Sequence, residues 1–149
     1  MEENKPIIAV DFDGTIVTHR YPAIGEVIEG AFETLKDLKQ SGFVLILWTV
    51  RSGELLDEAV EFCRKNGVTF YAVNNEFPDE VFNDKYSSRK IVADYYIDDR
   101  NIGGFVGWAK IRELLIPNMV SAADDDLVEP DFDEEEPEVQ PKRKWWQRK

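Results

Sequence analysis

The sequence predicts an α/β fold, a Rossmann-like three-layer sandwich on a mainly parallel sheet with the active site at the strand carboxyl ends. Three observations predict it. Short apolar runs alternate with segments of helical apolar spacing. The runs are apolar throughout rather than alternating, as strands buried on both faces are. Three of the four runs end in a polar cluster, at Asp11/Asp13, Thr49/Arg51 and Asp98/Asp99. Ligands of open α/β sheets bind beyond the carboxyl ends of strands, so the three clusters are expected to meet in one crevice.

The elements follow in order. Residues 6–10, PIIAV, read as the first strand, with DFDGT directly after it. Ile28, Ala31, Phe32, Leu35 and Leu38 recur at helical intervals, and Gly42 is a plausible stop. Residues 43–48, FVLILW, form the second strand, with Thr49 and Arg51 at its end. Leu55, Leu56, Ala59, Val60 and Cys63 mark the second helix, closed by Gly67. Residues 69–73, TFYAV, read as the third strand, and residues 74–89, rich in Asn, Pro, Asp and Ser, as a long loop. Residues 93–97, ADYYI, give the fourth strand, and a last helix is expected from about Trp108 to Leu115, before Pro117. Helices on both faces of the sheet are expected.

The chain has 149 residues, enough for one core domain, and a formal net charge of −12. Ten acidic residues and no Lys or Arg fall in residues 124–138, and five basic residues in 139–149. Residues 1–120 are therefore expected to form one catalytic domain, and residues 121–149 an acidic, then basic, disordered tail. A negative body disfavours nonspecific nucleic-acid binding, except through the tail segment KRKWWQRK, residues 142–149, which joins basic residues to two tryptophans. With one cysteine no intrachain disulfide can form, and the five-residue apolar run near the N-terminus is too short for a signal peptide or membrane span. A cytoplasmic protein with no membrane span is expected.

Asp11 and Asp13 stand at i and i+2 of an extended turn, where Gly14 permits a tight backbone. Such a pair, with a carboxylate from Asp98/Asp99, can hold Mg²⁺, which takes hard oxygens and neutralises an approaching phosphate. Asp11 can then attack phosphorus, and Asp13 can protonate the leaving oxygen and later activate water. A Thr49 hydroxyl and a lysine ammonium suit the nonbridging oxygens.

The motifs resemble those of the haloacid dehalogenase-like superfamily of phosphohydrolases over roughly residues 6–115. IIAVDFDGT matches its first motif, VLILWT its second, and KIVADYYIDDRN is similar to the segment that supplies a lysine and paired aspartates. The resemblance implies Asp11 as nucleophile and metal ligand, and Asp13 as acid/base with its backbone carbonyl on the metal. It implies Thr49 as phosphate binder, Asp98 as metal ligand and Asp99 in support. It assigns the lysine to Lys90, with Lys85 as runner-up. Gly14 and Arg51 join the expected substrate contacts, with balancing the charge of the acidic cup as the equal alternative for Arg51 and Arg100. Only 35 residues separate Asp13 from Thr49, so a capless or minimally capped member is expected, with residues 19–28 as a short flap.

The expected function is Mg²⁺-dependent hydrolysis of small-molecule phosphomonoesters through an aspartyl-phosphate. The alternatives are a nucleotidase or sugar-phosphate phosphatase of that mechanism, or a non-catalytic phospho-ligand binding protein of that fold. A calcium loop is disfavoured because a strand, not a helix, precedes Asp11. Dehalogenation is disfavoured because the second acid, Asp13, favours phosphate. His19 and Arg100 stand as loop residues near the site, Asp94 as a strand-end hydrogen bonder, and Cys63 as core.

Overall fold

The computed structural model describes residues 4–117. The expected tail, residues 121–149, with its basic tryptophan segment, lies outside the described residues. Within them the order is β1 (Ile7–Val10), α1 (Ala31–Gln40), β2 (Val44–Leu47), α2 (Gly53–Lys65), β3 (Ala72–Val73), β4 (Tyr95–Ile97) and α3 (Trp108–Leu115). The four strands form one sheet in the order β3-β2-β1-β4, every pair parallel. The α/β class read from the sequence is the one observed.

Strands β1 and β2 are shorter than expected by Pro6, Phe43 and Trp48, and three boundaries differ by more than one residue. Ile28 precedes α1, because its N–H donates to Ile16 O and so anchors the 16–28 loop. Residues 69 to 71 precede β3; Tyr71 is half exposed, and only Ala72 and Val73 complete the ladder against β2. Residues 93 and 94 likewise precede β4, although Asp94 accepts the Ile7 N–H at 2.8 Å, the strand-end role expected of it.

The layers also differ. Alternate strand residues face opposite ways. Ile8, Val10, Leu45, Leu47 and Ile97 share one core with Phe32, Leu35 and Leu38 of α1, Ala59 and Cys63 of α2, and Trp108 and Ile111 of α3. Ala9, Ile46 and Ala72 face the other way and are covered by Ile91. Among the described residues, all three helices therefore lie on one face, and the second face is covered by the β3–β4 connection, without a helix.

Crossover handedness explains this. The connections β1-α1-β2 and β2-α2-β3 step across the sheet in the same direction, so right-handed crossovers put both helices on one side. The β3–β4 connection steps back over β2 and β1, and the same rule puts it on the other side. That segment is the one whose composition reads as a loop. Its own polar groups hold it together. Glu76 accepts from the Val92 N–H at 2.9 Å, Glu80 from the Glu76 N–H at 2.7 Å, and the Tyr96 hydroxyl donates to Ile91 O at 2.5 Å.

The helical face supplies most of the stabilisation. Full burial of each Ile, Leu or Val contributes about 1.5–3 kcal/mol. Trp108 is buried against Phe105, and its indole N–H donates to Thr15 O at 2.8 Å, which fixes the loop after β1. Arg112 of α3 pairs with Asp37 of α1 at 2.6 Å. Cys63 is core, as expected, and burial pushes its thiol up to about 12.

Candidate active site

The site grows from the carboxyl ends of β1 and β4. The ladder carries Val10 against Ile97, and the Asp11 N–H donates to Ile97 O at 2.9 Å. Residues 11 and 98 therefore leave adjacent strands side by side. Asp11, Asp98 and Asp99 each offer a carboxylate oxygen, and the three atoms lie within 4.8 Å of one another. Aspartates distant in sequence thus converge, but the set is Asp11, Asp98 and Asp99 and not the expected one that includes Asp13.

Neighbours orient each carboxylate. The Thr15 hydroxyl donates to Asp11 Oδ2 at 3.0 Å. Asp98 accepts the Arg100 N–H at 2.8 Å, so Arg100 contributes backbone there. His19 Nε2 lies 2.9 Å from Asp99 Oδ2, while Asp99 Oδ1 is buried with no hydrogen-bond partner among the described residues. Neither Thr15 nor the His19–Asp99 pair was assigned from the sequence. The signal for Thr15 is its place four residues after Asp11; His19 carries no comparable signal.

Electrostatics show strain in this cluster. Burial, then the Asp98 charge, raises Asp11 from 3.8 to about 7 against the hydrogen bonds from Thr15 and the Phe12 backbone. Partial burial pushes Asp99 up, but hydrogen bonds with His19 and Asp11 more than offset it, and Asp99 is held below the usual carboxylate value. Three crowded carboxylates, one with an unpartnered buried oxygen, are a donor set that fits a divalent cation of the Mg²⁺ type.

Asp13 is the main departure from expectation. Its carboxylate is outside that cluster. Arg51 Nε donates to Asp13 Oδ2 at 2.7 Å and Nη2 to Oδ1 at 2.8 Å, with both residues buried. Arg51 Nη1 and Nη2 also donate to Pro22 O and Ala23 O, at 3.0 and 2.9 Å. The hydrogen bonds to Asp13 push the guanidinium above its already high value. Arg51 is therefore corrected from substrate contact to internal tie, because its side chain is fully buried and its hydrogen bonds are spent inside the protein. The Asp13 side chain is an ion-pair partner outside the cluster, so the expected metal contact of Asp13 rests on its backbone carbonyl alone.

Gly14 is corrected as well. Its N–H donates to Val17 O at 2.7 Å and is not free for a substrate. The residue is needed for space instead: φ is 84°, and a Cβ there would land on the Asp99 carboxylate and the His19 ring. The segment expected as a flap folds back on itself. Val17 bridges Val27 in antiparallel fashion, and the Thr18 N–H donates to Glu26 O at 2.8 Å.

Thr49 stands at the end of β2, beside the β1 end. Its N–H donates to Asn74 Oδ1 at 2.8 Å, and its hydroxyl oxygen accepts the Arg51 N–H at 3.2 Å. The hydroxyl hydrogen is left to donate, as phosphate binding requires. Both candidate lysines lie over aromatic rings. The Lys90 ammonium lies 5.0 Å from the Tyr96 ring centroid and Lys85 lies over Tyr86; among the described residues neither forms an ion pair. Arg89, for which the sequence offers no assignment, is the basic residue lining a cavity at the β2 end. That cavity, which Thr49 also lines, has a volume of about 580 Å³ and lies between the β2 end and the β3–β4 connection.

No protein-family model matches the chain, and no curated protein matches it. Among solved structures, the chain is similar to a conserved protein from Bacteroides thetaiotaomicron. The identity is 58%, over 74% of this chain and 89% of that one, with a TM-score of 0.70. The chain belongs to the same family as that conserved protein.

Proposed function

We propose that this member of the family is a capless or minimally capped phosphatase of the haloacid dehalogenase-like type, hydrolysing phosphomonoesters with Mg²⁺ through an aspartyl-phosphate on Asp11. The observation that carries the reading is the Asp11–Asp98–Asp99 cluster at the carboxyl ends of β1 and β4. Those three residues would hold the cation, which offsets their repulsion and draws charge from a phosphoryl oxygen.

The chain's own residues do the rest. Thr15 fixes one Asp11 oxygen and so orients the carboxylate toward phosphorus. Asp11 attacks in line, the P–O bond to the leaving group breaks, and the departing oxygen takes a proton from Asp13. Water then gives a proton to Asp13 and attacks the aspartyl-phosphate, releasing inorganic phosphate and free Asp11. Both steps need Asp13 to part from Arg51, which also holds the flap carbonyls of Pro22 and Ala23, and before the first step the released Asp13 carboxylate takes up a proton from solvent. Thr49 donates to a nonbridging oxygen. The setting is the cytoplasm, and the substrates are small phosphoesters.

Purified protein is expected to hydrolyse p-nitrophenyl phosphate with Mg²⁺, to stop with EDTA, and to lose turnover in Asp11→Asn. Absence of turnover on any phosphoester, with Mg²⁺ binding retained, would favour a non-catalytic phospho-ligand binding protein. Near-normal rates in Asp11→Asn would end the covalent mechanism.

A further inference from the structure

We propose that His19 is a positioning residue for the cation site: from the flap it fixes one oxygen of Asp99, so that the other, left without a donor, serves the cation. The inference rests on the cation reading of the Asp11–Asp98–Asp99 cluster. It adds a residue, outside the three carboxylates, that sets the affinity of the site.

The division of labour among the carboxylates comes first. Each has one oxygen fixed by a neighbour. The Thr15 hydroxyl holds Asp11 Oδ2 at 3.0 Å, the Arg100 N–H holds Asp98 Oδ1 at 2.8 Å, and His19 Nε2 stands 2.9 Å from Asp99 Oδ2. Thr15 and Arg100 are four and two residues from the aspartates they hold. Those two contacts are local and do not depend on the flap. His19 is 80 residues from Asp99. Asp99 is therefore the carboxylate whose orientation the flap controls.

Asp99 is also the carboxylate with an oxygen to spare. Its Oδ1 is buried and has no hydrogen-bond partner among the described residues. Buried polar atoms are nearly always satisfied, and an unsatisfied one inside a carboxylate cluster marks an oxygen kept for a ligand. The contact with His19 stops rotation about the Cβ–Cγ bond and so holds that oxygen in place. Carboxylates that bind metals are commonly held this way by a hydrogen bond to the oxygen that the metal does not use.

The fold makes room for the contact and steadies it. A Cβ at Gly14 would strike both Asp99 Oδ2 and the His19 ring, so the pair closes directly over the glycine. The backbone next to His19 is tied twice: the Thr18 N–H donates to Glu26 O at 2.8 Å, and the Glu26 N–H donates to Thr18 Oγ1 at 3.0 Å. His19 is the one histidine of the chain, and its side chain is half exposed, so core packing does not account for it.

Mg²⁺ binding to the full chain, followed by calorimetry, tests this without turnover. His19→Ala is expected to weaken binding about ten-fold or more, the order that partners of metal ligands contribute. His19→Phe keeps a ring but no donor and should match His19→Ala. His19→Gln carries an N–H near the place of Nε2 and should restore most of the affinity. In the Asp99→Asn background, His19→Ala should change nothing further, because it acts through Asp99. Wild-type affinity in His19→Ala and His19→Phe overturns the proposal, whatever their melting temperatures in EDTA, since a ring that merely secures the flap moves the melts alone. A full loss repeated in the Asp99→Asn background, or His19→Gln no better than His19→Phe, overturns it too. Turnover of p-nitrophenyl phosphate separates the two readings. His19-dependent Mg²⁺ binding without turnover sinks the phosphatase reading and leaves this one. Normal turnover with His19-independent binding does the reverse.

Discussion

Arg51 grips Asp13 with two parallel hydrogen bonds, 2.7 and 2.8 Å long, across 38 residues of sequence and with both side chains out of water. The same guanidinium lies 5.1 Å from the Phe12 ring centroid and 5.3 Å from that of Tyr21. The proposed acid/base, the end of β2 and the flap are therefore one mechanical unit.

Removing the guanidinium strands a buried carboxylate. Arg51→Met is expected to cost about 3–5 kcal/mol in urea denaturation. Arg51→Lys keeps the charge but cannot make the fork, and should fall between the two. The double variant Arg51→Met/Asp13→Leu should recover most of the loss. A single-variant cost under about 1 kcal/mol would mean the pair contributes little to stability.

Asp11 sets a pH dependence with a definite sign. Its folded value of about 7 lies above the ordinary 3.8, so the folded chain holds this proton more tightly than the unfolded chain. The associated stability is complete below about pH 4 and is lost as pH rises through about 7. Thermal melts in EDTA should show the wild type falling away from Asp11→Asn across that window, with the variant more stable at pH 8. Parallel curves would contradict the strained site.

A cation at the cluster should reverse this loss. Mg²⁺ is expected to raise the wild-type melting temperature at pH 8, since it binds the folded state. Asp98→Asn and Asp99→Asn should each shift the Mg²⁺ titration to higher concentration, by about ten-fold or more. An unchanged titration removes that residue from the ligand set.

Gly14 and Gly42 separate conformation from space. Both have positive φ, 84° and 92°, but a Cβ at Gly42 meets nothing within 4 Å, whereas one at Gly14 falls on Asp99 and His19. Gly42→Ala should cost about 1 kcal/mol. Gly14→Ala should cost more and should also blunt the Mg²⁺ response. Equal costs and an intact response would show that the Asp99–His19 contact moves aside freely.

Local pattern by itself determined the order and type of every element and the end of the sheet at which Asp11, Thr49, Asp98 and Asp99 emerge. Apolar periodicity and strand-end position are short-range properties, and a parallel sheet brings its carboxyl ends to one edge whatever the loops do. Tertiary structure alone decided where long side chains just past those ends go. Arg51 turned inward because Asp13, Pro22 O and Ala23 O together offer a buried guanidinium acceptors that no spacing rule reveals. Lys90 went to the Tyr96 ring and Arg89 to the Thr49 cavity because the β3–β4 connection crosses the second face of the sheet. That path follows from crossover handedness acting on strand order, and strand order is a relation between residues far apart in the chain.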